Sequence, residues 1–254
     1  DPFNSPALTI FLIIRLTLKV FPLCHALSFT RIFETWHNGI WRSILNYDQD
    51  SINHVLRTTR SVRKRLDFDR PVPDVLIQES IEIALNAAPG ASGMVPIHFM
   101  VITEPKVKKI VGGFYRDAFL TGIGSASSSS QRVQKPTIGY LAENIERCPA
   151  LVIHCAEGRP EDMPQTAGFY GQVLPAAWSF MLALRVRGLG TVWTALHLRY
   201  ANEIAEVLGI PSHVSQTVLF PVAFFKGEDN FSPPNRPASQ QFIHWNQWGT
   251  NHID

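Results

Sequence analysis

The sequence predicts an α+β domain in which helices pack on one sheet. Short runs of β-branched and aromatic residues indicate strands, and segments with helical apolar spacing alternate with them. A length of 254 residues, 45% of them hydrophobic, is enough to bury one substantial core. The expected order is α, α, β, α, α, β, α, β, α, β without an internal repeat, which is typical of a layered α+β arrangement.

The first half of this domain contains two helices, a strand and a third helix. A short helix is expected over 51–61, and a second begins at Pro73, because proline is favoured in the first turn of a helix. The run at 97–103 predicts a strand, and a helix follows at 104–119. The segment GIGSASSSSQ (122–131) has no core-forming residues and predicts a loop.

The second half continues the alternation. A helix over 132–147 and a strand over 150–155 are expected, followed by a polar loop over 156–166. After a long helix, GLGTVWTALHL (188–198) predicts a turn and a strand. The remaining elements are a helix over 200–210 and an apolar strand over 216–227.

The long helix is expected over 167–187 and is apolar nearly all round, with an interruption at Pro175. A helix without a polar face needs cover on every side, and one sheet covers only one side. The pattern therefore predicts a helix at a subunit interface. Large aromatic residues in the irregular C-terminal tail have the same implication, because they usually anchor a segment on another surface. These residues are Phe231, Phe242, Trp245 and Trp248.

The first 48 residues differ in kind from the rest. The apolar stretch at 7–23 is interrupted by Arg15 and Lys19, whereas roughly 20 apolar residues are needed to span a bilayer. It also lacks the order of segments found in a signal peptide. We expect a poorly integrated extension over 1–48 and the folded domain over 49–254, with a membrane-surface helix as the alternative. Trimming to Asp48 is expected to leave the domain intact.

Positive charge is concentrated in one segment, RTTRSVRKR (57–65), which carries five bases. The whole chain has a net charge of +2, and the remainder without this segment has −3. Nucleic-acid-binding proteins normally spread basic residues over a face, so general nucleic-acid binding is not expected. A nucleic-acid arm, a solvated helix face and a cradle for one phosphate remain the three interpretations of the segment.

Cysteine and histidine patterns indicate no metal centre and no disulfide framework. Cys24, Cys148 and Cys155 are odd in number and lack paired spacing, which predicts reduced thiols and a cytoplasmic protein. The nine histidines include no HxH or HxxxH pair.

Five segments together, in their order and spacing, resemble the nitroreductase family over about residues 50–250. They are RSVR (60–63), APGASGMVPIHF (88–99), YGQVLPAAWSFMLALRVRGLGTVWTALHL (170–198), LGIP (208–211) and RPASQQFIHWNQW (236–248). The resemblance implies a central, mostly antiparallel sheet flanked by helices. It also implies an FMN-dependent homodimer with an exchanged C-terminal arm.

The resemblance assigns the basic segment to the FMN phosphate. Arg60 and Ser61 would contact the phosphate, and Arg63 would reach the ribityl chain or the flavin O2 side. Arginine suits this task because its guanidinium forms charge-assisted, fork-like bonds to phosphate oxygens. Arg236 matches a late basic residue of the family at the same phosphate. Thr59 stands where the family has a further arginine, a contact that Arg57 or Arg236 would have to supply.

Two further segments would approach the flavin ring. Gly93 and Val95 stand where the family usually has Asn and Gln, so only backbone amides would contact the ring there. The alternative is a plain helix-to-strand connection. A second segment would pass the flavin N5 with a backbone amide, its alternative being an ordinary core strand. The residues implied are Gly90, Ala91, Ser92, Gly93 and Val95 in the first segment and Thr194, Ala195 and Leu196 in the second.

The resemblance implies hydride transfer from NADH or NADPH, through FMN, to a small-molecule acceptor such as a nitroaromatic or a quinone. Because the chemistry belongs to the flavin, no side chain is expected to act as a catalytic acid or base. The alternatives are a specialised branch of the family, either a reductive dehalogenase or a flavin-consuming dimethylbenzimidazole synthase, and a non-catalytic flavin carrier.

Overall fold

A computed structural model of the chain describes residues 47–87, 96–122 and 129–250, without side chains for 129–135. The chain divides into two units, Asp1–Asn53 and His54–Asp254. The first unit is described only from residue 47, where it contributes the start of a helix. The sheet and the candidate site lie in the second unit.

Six α-helices and five strands make up the described chain. The helices are α1 (Gln49–Thr58), α2 (Asp74–Ala87), α3 (Pro105–Gly122), α4 (Ser129–Asn144), α5 (Met163–Val186) and α6 (Ala201–Leu208). The strands are β1 (Leu66–Asp67), β2 (Ile97–Ile102), β3 (Ala150–Glu157), β4 (Leu189–Gly190) and β5 (Val214–Phe225). Short 3₁₀ turns span Ile145–Arg147, Leu196–Tyr200 and Ser239–Phe242.

The strands form one sheet in the order β1-β5-β3-β2, with β4 also paired to β5. Every described pairing is antiparallel. The long strand β5 is central because it pairs with β3 along most of its length and with β1 and β4 at its C-terminal end. The predicted α+β class with an antiparallel sheet flanked by helices is therefore confirmed.

Both faces of the sheet are covered, and alternate residues of β3 face opposite layers. Leu151 and Ile153 belong to the cluster that includes α3, while Val152 belongs to the cluster that includes α5. A strand buried on both faces appears in the sequence as a continuous apolar run, which explains why ALVIHC predicted a strand so clearly. None of the described helices is long and apolar enough to cross a membrane.

Helix α5 begins earlier than the sequence pattern indicated. Asp162 caps it by accepting a hydrogen bond from the Gln165 amide at 2.8 Å, and Pro164 occupies its first turn. The prediction of a loop over 156–166 is thus wrong for its last residues. The predicted interruption at Pro175 is also wrong, since the helix runs through it.

Helix α5 has one covered and one uncovered face in the single chain. Ala177, Phe180 and Leu184 are buried in the core cluster on the α2 side of the sheet. The other face carries an apolar stripe at intervals of four residues, the spacing that places side chains along one side of a helix. This stripe, called here the α5 stripe, consists of Leu174, Trp178, Leu182 and Val186. Trp178 and Val186 are 41% and 66% exposed, whereas Leu182 is partly buried and Leu174 packs against the core cluster.

Two histidines are fully buried. His154 on β3 shares a 2.6 Å hydrogen bond with the Thr217 hydroxyl and packs against the edge of Phe99. Both ring nitrogens of His197 lack a hydrogen-bond partner among the described residues. Burial lowers the pKa of each histidine to about 4, so both rings are neutral in the folded chain at neutral pH.

Because unfolding exposes these rings, the free energy of unfolding is expected to fall as the pH is lowered from about 6.5 towards 4. Each histidine contributes up to about 1.4 kcal/mol per pH unit, since the unfolded chain binds a proton that the folded chain does not. His197→Leu removes one titrating ring and should flatten the pH dependence of urea unfolding. His213→Leu, at an exposed position, is the control. An unchanged slope for His197→Leu would contradict the argument.

Candidate functional site

The basic segment is fixed to the sheet through Val62. The Val62 amide donates to the Thr191 carbonyl at 2.8 Å, and its side chain is 4% exposed within the core. Gly190 allows this contact, because a Cβ there would lie 3.1 Å from both Val62 Cβ and Cγ1. The positive φ needed by the preceding turn falls at Gly188, where φ is +73°. The position of Val62 is therefore fixed relative to the residues at the end of β4.

Anchoring Val62 in the core leaves several of the neighbouring side chains around one open cavity of ≈ 860 Å³. Its wall is formed by the N-terminal part of the basic segment, helix α5, residue 193 after β4 and the C-terminal tail. The lining residues are Leu56, Arg57, Thr59, Arg60, Ser61, Arg63, Trp178, Met181, Trp193, Pro233, Pro234 and Arg236. The structure thus brings together four of the predicted site residues, Arg60, Ser61, Arg63 and Arg236.

The described wall of the cavity carries four arginines and no acidic residue. Arg60 is held by backbone carbonyls, donating to Thr59 O at 2.6 Å, Arg57 O at 3.0 Å and Ser232 O at 2.7 Å. Carbonyls orient the guanidinium without neutralising it. Within the described part of the chain none of the four arginines forms an ion pair. The cavity is therefore strongly positive and suited to a bound anion.

Arg63 is partly buried beside the cavity. This burial lowers its pKa, and the nearby Tyr115 opposes that shift. Tyr115 is itself buried, which raises its pKa, and its hydroxyl lies 2.9 Å from the Thr194 hydroxyl. A desolvated cation without a described counter-charge gains most from an anionic ligand. Tyr115 thus interacts with both Arg63 and Thr194.

Thr59, which stands where the family pattern has an arginine, uses its side chain within the local backbone. Its hydroxyl donates to Val55 O at 2.6 Å within α1 and its immediate continuation, and the residue is buried. Arg57 and Arg236 both line the cavity. Either is therefore in a position to supply the contact that Thr59 lacks.

The other end of the basic segment has a structural role. Arg65 donates to the carbonyls of Lys226 at 2.8 Å and Glu228 at 2.5 Å, and to Asn230 Oδ1 at 3.1 Å. Its guanidinium also lies over the Phe231 ring. The segment thus divides into a cavity-facing part, up to Arg63, and a part that holds the turn after β5.

Residues 194–196 follow Trp193, which lines the cavity. Thr194 forms an isolated bridge to Leu219, donating its amide to Leu219 O at 3.3 Å, and Leu196 begins a 3₁₀ turn. The strand predicted within 188–198 is therefore wrong beyond β4, which ends at Gly190. Ala195 is exposed, and its amide forms no backbone hydrogen bond with another described residue.

The predicted loop residues Gly90, Ala91, Ser92, Gly93 and Val95 lie outside the described residues. The aromatic residues of α3 pack within the described chain: Tyr115 is buried, and Phe114 stacks on Tyr200 at 5.3 Å. No group of three or more His, Cys, Asp or Glu side chains able to hold a metal occurs among the described residues.

Sequence reasoning missed two tryptophans in the wall, Trp178 and Trp193. Trp178 was assigned to the apolar face of the long helix and Trp193 to a core strand. The available signal was composition, since tryptophan combines a large apolar ring with a polar edge and is favoured at binding surfaces. Their meeting in one wall depends on the packing of α5 against the sheet.

Comparison with known proteins identifies the same fold. The model of the nitroreductase family matches residues 56–224. A protein of Archaeoglobus fulgidus named "Putative NADH dehydrogenase/NAD(P)H nitroreductase" is 24% identical over 196 residues, covering 76% of this chain and 97% of the relative.

Two solved structures illustrate the structural similarity. Oxidized iodotyrosine deiodinase bound to FMN and 3-iodo-L-tyrosine superposes with a TM-score of 0.61 at 18% identity, covering 77% of this chain and 99% of that one. Nitroreductase A from Vibrio parahaemolyticus gives a TM-score of 0.57 at 15% identity, covering 81% and 79%.

The contact between Gly190 and Val62 tests how the basic segment is held. Gly190→Ala is expected to lower the free energy of unfolding by about 1–3 kcal/mol, because the added methyl forces Val62 or the segment to move. Gly113→Ala on α3 is the matched control, since no atom lies within 4 Å of its Cβ position. It should be neutral or stabilising by up to about 1 kcal/mol, as alanine is the better helix former. Equal effects in denaturant unfolding would contradict the close-approach argument.

Proposed function

The chain belongs to the nitroreductase family, and on that premise we propose that it is an FMN-dependent oxidoreductase using NADH or NADPH. Its second substrate is a small-molecule acceptor such as a nitroaromatic or a quinone. The match begins at residue 56, which supports placing the FMN-binding domain at 49–254.

One observation carries the proposal: four arginines and a serine line a cavity whose described wall holds no carboxylate. A phosphate monoester carries close to two negative charges and accepts several hydrogen bonds, so it matches this set of donors. The Ser61 hydroxyl is exposed and adds a short donor beside Arg60. The donor set therefore fits the phosphate of FMN.

The protein's contribution is to bind and orient. Arg60 is oriented by three carbonyls, and Arg236 approaches from the tail, so that the phosphate is held from two directions. Arg63, further along the wall, would lie at the ribityl or O2 side, where a cation stabilises negative charge on the reduced ring. A bound FMN would supply the redox chemistry, hydride acceptance from the nicotinamide and electron transfer to the acceptor. The backbone amides of Ala195 and Leu196 would hold the N5 edge.

The comparisons support this proposal through shared fold. The deiodinase structure contains FMN, and the Archaeoglobus relative is named as an NAD(P)H nitroreductase. The same deiodinase structure keeps a reductive dehalogenase as the alternative within the family.

A non-catalytic flavin carrier is the alternative from a different class. It is favoured by Gly93 and Val95, which replace the Asn and Gln side chains typical of the family at the ring. Anaerobic addition of NADPH or NADH to the yellow protein separates the two: rapid bleaching supports the oxidoreductase, and persistent colour supports the carrier.

We also propose that the protein acts as a homodimer in which a second copy covers the α5 stripe. The stripe exposes Trp178 and Val186, two helical turns apart, and Trp178 also lines the cavity. A partner seated there would exclude water from the apolar side of the cavity as well. Exposed aromatic residues of the tail supply a further apolar surface for such a contact.

The proposed FMN site predicts the effect of Arg63→Ala. The dissociation constant for FMN should rise roughly tenfold to a hundredfold, the range expected when a charge-assisted contact is lost. Arg63 lines the cavity and forms no ion pair among the described residues, so its substitution removes a cation from the site without breaking a described ion pair. Lys109→Ala, which removes an exposed cation on α3, should leave the constant unchanged. Flavin fluorescence titration measures both, and equal affinities would contradict the assignment.

The proposed dimer predicts that Val186→Lys shifts the protein towards monomer in light scattering. Lysine at the last position of α5 suits the helix C-terminus, so the substitution tests the surface and not the helix. Leu120→Lys, at a residue 58% exposed on α3, is the control. Its molar mass in light scattering should equal that of the wild type. A monomeric wild type that binds FMN would contradict the proposal.

A further inference from the structure

The C-terminal tail turns back from the sheet over residues 226–231, and two arginines hold that turn. Gly227, with φ of +79°, supplies the left-handed conformation that the reversal needs. Arg65 binds the turn through its three hydrogen bonds. Arg185, from the last turn of α5, forms a two-pronged ion pair with Asp229, with Nη1 2.7 Å from Oδ2 and Nη2 bonded to Oδ1.

The Phe231 ring contacts both of these arginines. The guanidinium carbons of Arg65 and Arg185 are 4.5 Å and 4.8 Å from its ring centroid. The ring also meets Phe225 edge-on at 5.1 Å. The ion pair, the two arginines and the ring, called here the tail clamp, fix the point from which the tail sets out.

Asp229 is the residue on which the tail clamp depends. Arg185 is only 7% exposed, and Asp229 is its ion-pair partner among the described residues. A buried guanidinium that loses its carboxylate becomes an uncompensated charge, which drives rearrangement of the side chain. Arg185 would then leave both Asp229 and the Phe231 ring.

The tail clamp stands directly before the cavity wall. Ser232, the next residue, accepts the hydrogen bond from Arg60. Pro233, Pro234 and Arg236 then line the cavity. Because each proline fixes its φ near −65° and restricts the residue before it, the direction set at Phe231 is carried to Arg236 with little freedom.

We propose that Asp229, acting through Arg185 and Phe231, is a positioning residue that holds Arg236 at the cavity and so raises its affinity for a phosphoryl group. The inference rests on the proposed function, because the phosphoryl group is that of FMN. Asp229 lies outside the cavity wall, and its effect on binding is therefore indirect.

A double-mutant cycle tests the proposal in the full chain, with FMN as the probe. Asp229→Asn and Arg236→Ala should each weaken FMN binding by about tenfold, the size of one lost charge-assisted contact. The double variant should bind FMN as Arg236→Ala does, because a misplaced tail has no further arginine to lose. Ser61 does not lie on the tail. The effects of Ser61→Ala and Asp229→Asn on the free energy of FMN binding should therefore be additive.

Glu228→Gln is the matched control, since it removes the neighbouring exposed carboxylate and keeps the backbone carbonyl that Arg65 binds. It should leave FMN affinity unchanged. Unchanged affinity in Asp229→Asn, or full additivity with Arg236→Ala, would overturn the proposal. If Asp229→Asn does not fold, Phe231→Leu replaces it in the same cycle, with Phe169→Leu, at a residue outside the cavity wall and the tail, as its control.

A second measurement separates this proposal from the proposed function. Backbone ¹⁵N relaxation of Phe231, Ser232, Asn235 and Arg236 needs no ligand and should give lower order parameters in Asp229→Asn than in Glu228→Gln. If the wild type binds no FMN, the proposed function and the affinity claim both fail, while lower order parameters still support the positioning of the tail. Equal order parameters in the two variants would overturn the positioning role whatever the wild type binds.

Discussion

The candidate site depends on one main-chain contact, the hydrogen bond from Val62 to the Thr191 carbonyl. It fixes residue 62 beside the residue that follows β4, and neighbouring side chains along an extended segment point in opposite directions. With Val62 in the core, Ser61 and Arg63 are directed to the cavity. Gly190 makes the contact sterically possible. The sheet therefore determines where the arginines stand.

Two kinds of arginine environment follow from this arrangement. Arg185 is buried and paired with Asp229, so its charge is compensated and serves the structure. Arg60 and Arg63 are both partly buried. Arg60 donates to backbone carbonyls, and neither arginine forms an ion pair with another described residue. Such uncompensated cations cost stability unless an anion is bound. The presence or absence of a carboxylate partner therefore distinguishes the structural Arg185 from the cavity arginines Arg60 and Arg63.

Much of this was predictable from local sequence. The long strands β2, β3 and β5 were marked by their apolar runs, and the clustering of bases at 57–65 identified a segment whose first part lines the cavity. The strand expected within 188–198 is limited to Leu189–Gly190. The start of α5 was also predictable, because Asp162 followed by Pro164 is a helix-start signal that the polar composition of the loop obscured. The separate role of Arg65 was not, since its acceptors are carbonyls about 160 residues away in a turn. Trp178 likewise enters the wall only through the packing of α5.

The path of the tail restricts how an exchanged arm could operate. Up to Arg236 the tail is bound to its own chain, through Phe231 in the tail clamp and through Ser232 on Arg60. Beyond Arg236 its large aromatics, Phe242, Trp245 and Trp248, are exposed in the single chain. Exchange between protomers would therefore concern the residues after Arg236, whose apolar surface gains from cover. In such a dimer each protomer would keep its own arginines at the phosphate, and the partner would contribute apolar cover.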